Sequence, residues 1–144
     1  MTDASVSAFE SVKRDFDSLP LHRTLGVELV ECRPGFARIV LHASTVTLGG
    51  IGGSVHGGLT AAMIDIATLA ALSATRQPGD VFNGTADLNI TYMRPALGAN
   101  IYAEATVLRK GRSLSVTEVE ILDDQGRLCA KGRTIYALRR ADGL

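Results

Sequence analysis

The 144-residue chain carries no net charge, since fifteen Lys and Arg balance fifteen Asp and Glu. A protein that binds a phosphate backbone needs a basic surplus, so nucleic acid is not an expected partner. Cysteine is scarce too. Cys32 and Cys129 stand far apart and form no CxxC pair, which suggests ordinary reduced thiols in a cytosolic protein. His22 and His42 fall at no metal-ligand spacing, HxxxH and HExxH are both missing, and no metal is expected. The apolar stretch 59–74 is short of the ~20 residues of a membrane span, and Asp65 interrupts it. The first residues (Asp3, Ser5, Ser7, Glu10) are polar and lack the apolar region of a secretory signal, so a cytoplasmic location is expected. No GxSxG elbow supports a Ser-His-Asp hydrolase, and no GxGxxG leads from a strand into a helix to bind a dinucleotide. Neither internal repeats nor low-complexity segments occur.

Apolar residues make up 46% of the chain, too many for disorder, and the length suits one domain with one core. Charge is missing most sharply from one region. At 21% charged residues overall, the stretch 39–75 would hold roughly eight charged side chains by proportion, against typical usage near ~25%. It holds one, Asp65. Within the same stretch Gly49, Gly50, Gly52, Gly53, Gly57 and Gly58 crowd into ten residues.

The spacing of Val6, Phe9, Val12, Phe16 and Leu19 predicts an amphipathic helix over 4–19, ended by Pro20. Two strands, 25–32 and 37–42, flank the turn Arg33-Pro34-Gly35. The glycine-rich segment 45–55 reads as a loop. Residues 58–75 are apolar nearly all round, as expected of a helix buried on most faces. Strands at 81–93, 101–108, 113–122 and 128–138 follow with short connections, which reads as a four-stranded antiparallel meander. The fold class is α+β: a long central helix wrapped by a curved antiparallel sheet, with a short N-terminal helix. One domain spans 1–144, with a helical segment over 1–20 and the core over 21–138.

Gly57 and Gly58 fall where the central helix begins. The first amides of a helix lack internal partners and sit at the positive end of its dipole, so they suit a carbonyl oxygen becoming an oxyanion. The same glycines would also serve a tight turn into the helix and nothing more. Asp65, between Ile64 and Ile66, is costly to bury alone, so it requires a partner or a raised pKa. No Lys or Arg lies one turn away, and Thr68 is the one polar side chain nearby on that helix face. Catalysis explains such a carboxylate, and so does a structural bond across a subunit interface. His56 could bond a substrate, orient the loop or fill space. Arg109, Lys110 and Arg112 cluster at the turn around Gly111, and Arg94 precedes Pro95; these are either solvated cations or ligands for phosphate.

His56-Gly57-Gly58, with Asp65 eight residues after Gly57 in an Ala/Leu-rich helix, resembles the hotdog-fold thioesterases of the PaaI-like group. So do the run Asp87-Leu88-Asn89-Ile90-Thr91-Tyr92-Met93-Arg94-Pro95-Ala96 and the turn Leu108-Arg109-Lys110-Gly111-Arg112-Ser113-Leu114. Within that group the pattern is most like the type called thioesterase superfamily member 2, over about residues 21–138. The resemblance implies a hotdog fold, a homodimer as the minimal active unit and a homotetramer as the full assembly. The active site would lie across the dimer interface, and the substrate would be an acyl-CoA thioester with no further cofactor. Gly57 would present its amide to the thioester carbonyl, and Asp65 from the partner subunit would attack it or activate water. Thr85 stands where relatives keep a water-orienting serine, with Asn83 as a second candidate for that place. His56 would line the site beside Gly58. Asp87 lies in the matching run; Tyr92, Met93, Arg94 and Pro95, with Arg109, Lys110, Gly111, Arg112 and Ser113, would hold the nucleotide and pantetheine of coenzyme A. One position departs from the pattern: relatives carry Asn six residues before the HGG histidine, and this chain has Gly50. That departure keeps a non-catalytic acyl-CoA binding or sensor protein as the alternative function. A hotdog dehydratase, with His56 and Asp65 as its acid and base, is a third reading.

Overall fold

The computed structural model describes residues 3–141; residues 1, 2 and 142–144 of the expected domain lie outside them. The elements run α1 (Asp3–Ser18), α2 (Pro20–Leu25), β1 (Val27–Arg33), β2 (Phe36–His42), a single 3-10 turn (Ile51–Gly53), α3 (Gly57–Ser73), β3 (Asp80–Tyr92), β4 (Asn100–Lys110), β5 (Leu114–Leu122) and β6 (Leu128–Arg140). The six strands form one antiparallel sheet in the order β1-β2-β4-β5-β6-β3, curled about α3 in the hotdog arrangement. Among the described residues, no helix is long and apolar enough to cross a membrane.

The sheet can wrap α3 closely because its helix-facing side chains are small or branched. Ala37, Ile39 and Leu41 of β2 stand opposite Ala105, Ala103 and Ile101 of β4, and all six are buried. On α3 the matching surface is Met63, Ile64, Ala67, Ala70 and Ala71. The closest approach is at Gly132 of β6, where a β-carbon would collide with the Ile64 side chain and the Asn89 carbonyl. Only glycine leaves room for the helix there. Thr68 and Thr134 meet across the same interface at 2.9 Å, both fully buried, and Thr68 also donates to the Ile64 carbonyl at 2.8 Å.

The structure corrects three expectations about the fold. Pro20 ends one helix but starts another: it occupies the first turn of α2, where a missing N–H costs nothing. Gly26, in the left-handed region (φ 73), then caps α2, so β1 begins at Val27 and not at residue 25. The last four strands are also not a meander. β4, β5 and β6 are consecutive neighbours, but β3 pairs with β6 and occupies an edge. β4 instead continues β2, because only that pairing joins their small apolar residues into one buried face beneath α3.

Candidate active site

His56 is the N-cap of α3. Its Nδ1 accepts from the Gly58 amide at 2.9 Å, and its carbonyl accepts from Leu59 and Thr60. An acceptor Nδ1 puts the ring proton on Nε2, which is left to donate. Among the described residues, these bonds leave one early amide of the helix without an acceptor, that of Gly57. The Gly57 carbonyl accepts from the Tyr92 hydroxyl at 2.6 Å, and the Tyr92 ring lies over the glycine. These residues line a cavity of about 440 Å³ with Gly50, Ser54, Met93, Arg94 and Pro95. Gly58 is thus a donor to His56, and its amide is not available to a ligand.

Ser54 heads the candidate run Ser54-Val55-His56-Gly57-Gly58, but sequence reasoning gives it no role of its own. Its hydroxyl occupies the space that a β-carbon on residue 50 would need, so position 50 is closed to any side chain in this loop. Ser54 is 4% exposed, lines the same cavity, and its hydroxyl has no partner among the described residues. The polar group at this point of the loop is therefore a hydroxyl from residue 54, not a side chain at 50.

Asp65 lies two turns further along α3, about 12 Å from Gly57 at 1.5 Å per residue. It is exposed, contrary to the burial expected from its apolar neighbours, because it points off the helix on the side that the sheet leaves open. Its partner is Thr85, whose hydroxyl donates to Oδ1 at 2.5 Å. Thr68 lies on the sheet-facing side and takes no part. Thr85 reaches Asp65 because β3 is bulged on either side of it: the register with β6 slips between Phe82 and Gly84 and again between Thr85 and Asp87. The first bulge absorbs Asn83 and turns Thr85 to the helix side. The second restores the alternation that packs Leu88 and Ile90 on the core. Asn83 and Asp87 are left exposed on the edge strand, and neither bonds Asp65.

Tyr136, the cross-strand partner of Thr85, shares with Asp65 a second cavity of about 890 Å³ between α1 and α3. Burial pushes its phenol above the usual value, and the Asp65 carboxylate adds to that. The basic turn is elsewhere. Arg109, Arg112 and Ser113 are exposed, whereas Lys110 is turned inward, donating to the Thr75 carbonyl at 2.8 Å and to Asp80 at 2.5 Å. Lys110, Gly111 and Arg112 border a third hollow with Asp80 and Arg140. Within one chain, then, the candidates fall into three groups: the HGG loop with Tyr92–Pro95 residues, the Asp65–Thr85 pair, and the basic turn. Among the described residues, no three His, Cys, Asp or Glu are placed to hold a metal ion.

Comparison with known proteins supplies a context for this arrangement. The profile of the family described as "Thioesterase superfamily" matches residues 52–130. The human protein named acyl-coenzyme A thioesterase 13 is 36% identical over 137 residues, covering 92% of this chain and 95% of that protein. The Escherichia coli protein named medium/long-chain acyl-CoA thioesterase YigI is 27% identical over 131 residues, covering 82% and 84%. The crystal structure of zebra fish thioesterase superfamily member 2 superposes with a TM-score of 0.73 at 30% identity, covering 88% of this chain and 93% of that one.

Proposed function

The chain belongs to the thioesterase superfamily of thioester hydrolases, and on that premise we propose that it hydrolyses medium/long-chain or aryl acyl-CoA to a free acid and coenzyme A. The observation that carries this is the pairing of one unsatisfied helix N-terminal amide, Gly57, with one exposed carboxylate, Asp65, already hydrogen-bonded to a hydroxyl. The thioester carbonyl oxygen accepts from Gly57 N–H, and negative charge develops on it beside the positive end of α3. Thr85 donates to Oδ1 of Asp65, so its own oxygen accepts from a water, and Oδ2 takes that water's proton. The water oxygen bonds to the carbonyl carbon, the carbon–sulfur bond breaks, and the proton leaves with the coenzyme A thiol. Direct attack by the carboxylate, through an anhydride that water then cleaves, uses the same atoms.

A gap of about 12 Å between Gly57 and Asp65 along one helix is too long for both to touch one carbonyl. A second copy that brings its own Asp65 to Gly57 closes the gap. The thirteen-residue edge strand β3, unpaired on its outer side, is suited to joining two sheets. The reading is therefore a cytoplasmic homodimer as the minimal active unit, assembled further into a tetramer. Arg94, Arg109 and Arg112 supply the positive charge for the coenzyme A phosphates, which the neutral chain as a whole lacks. No cofactor is needed.

The test is a panel of acyl-CoA esters with a thiol-detecting reagent. Release of thiol by the wild type and its loss in Asp65→Asn support the reading. If the two proteins release thiol equally on every ester, the carboxylate is not catalytic. Binding without turnover would identify a sensor, and an enoyl product a dehydratase.

A further inference from the structure

We propose that the Ser54 hydroxyl is a second oxyanion donor, meeting the thioester carbonyl together with the Gly57 amide. This rests on the hydrolase reading and adds a catalytic residue to it. Ser54 is 4% exposed and lines the cavity of about 440 Å³ that Gly57 also lines. Its backbone is fully used inside the loop. The amide donates to the Ile51 carbonyl at 3.3 Å, and the carbonyl accepts from the Gly49 and Gly50 amides at 3.3 and 3.0 Å. Neighbouring bonds fix the rest of the loop: Val55 donates to the Ala96 carbonyl and His56 to the Thr47 carbonyl, both at 3.0 Å. Only the hydroxyl is left over. Among the described residues, the sealed side-chain polar atoms without a partner are Arg38 Nε and Thr117 Oγ1. The Ser54 Oγ is unpaired but not sealed, so the part of Ser54 that a molecule in the cavity can touch includes it.

A buried hydroxyl without a partner weakens a fold unless a ligand completes it. The chemistry of that ligand follows from the groups around the hydroxyl. The Gly57 amide only donates. The His56 ring bears its proton on Nε2, since Nδ1 accepts from Gly58. It therefore cannot take the Ser54 proton, and the hydroxyl is left as a donor and not as an activated nucleophile. A carbonyl oxygen has two lone pairs, and as it gains charge in the tetrahedral intermediate it accepts from both donors at once. The hydroxyl turns about its own C–O bond and follows that oxygen with no rearrangement of the loop. Ser54 keeps its proton throughout, and its bond to the oxygen relaxes as the carbon–sulfur bond breaks. Residue 50 cannot supply a donor in its place. Gly50 has an ordinary extended backbone (φ −83, ψ 176), so its conformation does not call for glycine. A β-carbon there would instead strike the Ser54 hydroxyl and the Val55 carbonyl. Position 50 is bare because the loop packs the hydroxyl of residue 54 into that space.

Ser54→Ala removes the hydroxyl and leaves the backbone bonds of the loop in place. On acyl-CoA esters kcat should fall by about a hundredfold, with KM within about threefold of wild type and Tm unchanged or raised. A kcat within about threefold of wild type overturns the proposal and leaves the hydrolase. So does an acyl adduct on Ser54, found by mass spectrometry during turnover, because the hydroxyl would then be a nucleophile. Two non-hydrolysable coenzyme A analogues, titrated by calorimetry, test the contact without turnover. In one, a difluoromethyl ketone replaces the thioester and hydrates to a tetrahedral diol; in the other, a thioether leaves no carbonyl at all. Ser54→Ala should weaken the ketone by about tenfold or more and leave the thioether unchanged. That pattern upholds the donor even if the wild type hydrolyses no ester. Equal weakening of both analogues, as a merely structural role would give, or of neither, overturns it.

Discussion

The two ends of α3 are finished in opposite ways. At its start, among the described residues, the Gly57 amide is left without an acceptor beside an open cavity that Arg94 also lines. At its end the chain is tied down. Lys110 donates to the Thr75 carbonyl and to Asp80, Asp80 accepts from the Gln77 amide at 2.9 Å, and Arg140 donates to the Gln77 side chain at 2.9 Å. A cation just beyond a helix C-terminus favours the helix, and so does the Thr75 hydroxyl, which donates to the Leu72 carbonyl at 2.7 Å. The open donor at the start is therefore not a sign of a loosely made helix. The same element is closed where it only needs stability and left unsatisfied where a ligand is to supply the acceptor.

The largest effect should come from closing the open end. Proline fits the first turn of a helix, and His56 already has the extended conformation (φ −58, ψ 134) that a following proline requires. Gly57→Pro should therefore delete the bare N–H and leave the fold. Loss of one oxyanion donor costs about 3 kcal/mol, or roughly a hundredfold to a thousandfold in kcat, with Tm nearly unchanged. Mixing this variant with Asp65→Asn should restore activity if each site draws on two chains; no recovery would put both groups in one subunit. Next is the tied end. Lys110→Met leaves Asp80, whose side chain is 8% exposed, with Arg140 as its remaining cation. We expect a loss of about 2 kcal/mol and a fall of roughly 6 °C in Tm. Arg112→Ala at the same turn should instead raise KM for acyl-CoA esters and leave Tm alone. If Lys110→Met changes KM and not Tm, the two ends are less different than the bonds imply.

Much of this contrast was legible beforehand, and the reasons differ by residue. The emptiness of charge in 39–75 marked α3 and its loop because burial against a sheet leaves its trace in composition. Gly57 and Asp65 could be picked out because one sits at a helix start and the other breaks an apolar pattern. The bonding of Thr85 to Asp65 could not be derived, since strict alternation through Phe82 would turn Thr85 away from the helix. Two bulges reverse that parity, and a bulge leaves no periodic signal. The exposure of Asp65 was missed because apolar neighbours on a helix do not say which way the sheet curls. The edge position of β3 depends on a pairing between β2 and β4 that is distant in sequence. The sequence assigns Ser54 no role because its importance comes from lying against Gly50, a contact made by the fold of the loop.

Two smaller changes sharpen the comparison at its extremes. At the open end, His56→Ala removes the cap from Gly58 and should cost about 1 kcal/mol, whereas His56→Asn keeps a capping acceptor and should stay within about 0.5 kcal/mol of wild type. A drop in kcat for the Asn variant then reports the ring's Nε2–H and not the helix start. At the tied end the smallest effect is in the pH dependence. The Lys110 bond, followed by the Gln77 amide, holds the Asp80 carboxyl below its ordinary value. A carboxylate with a lowered folded pKa adds stability that is fully present above its unfolded value near ~4 and disappears as pH falls through the folded value. Asp80→Asn should therefore flatten the acid limb of a stability-versus-pH curve below about pH 4 and leave its shape unchanged near neutrality. A wild-type limb no steeper than that of the Asn variant would mean that the ion pair does not hold the end of α3, and the contrast between the two ends would then rest on backbone bonds alone.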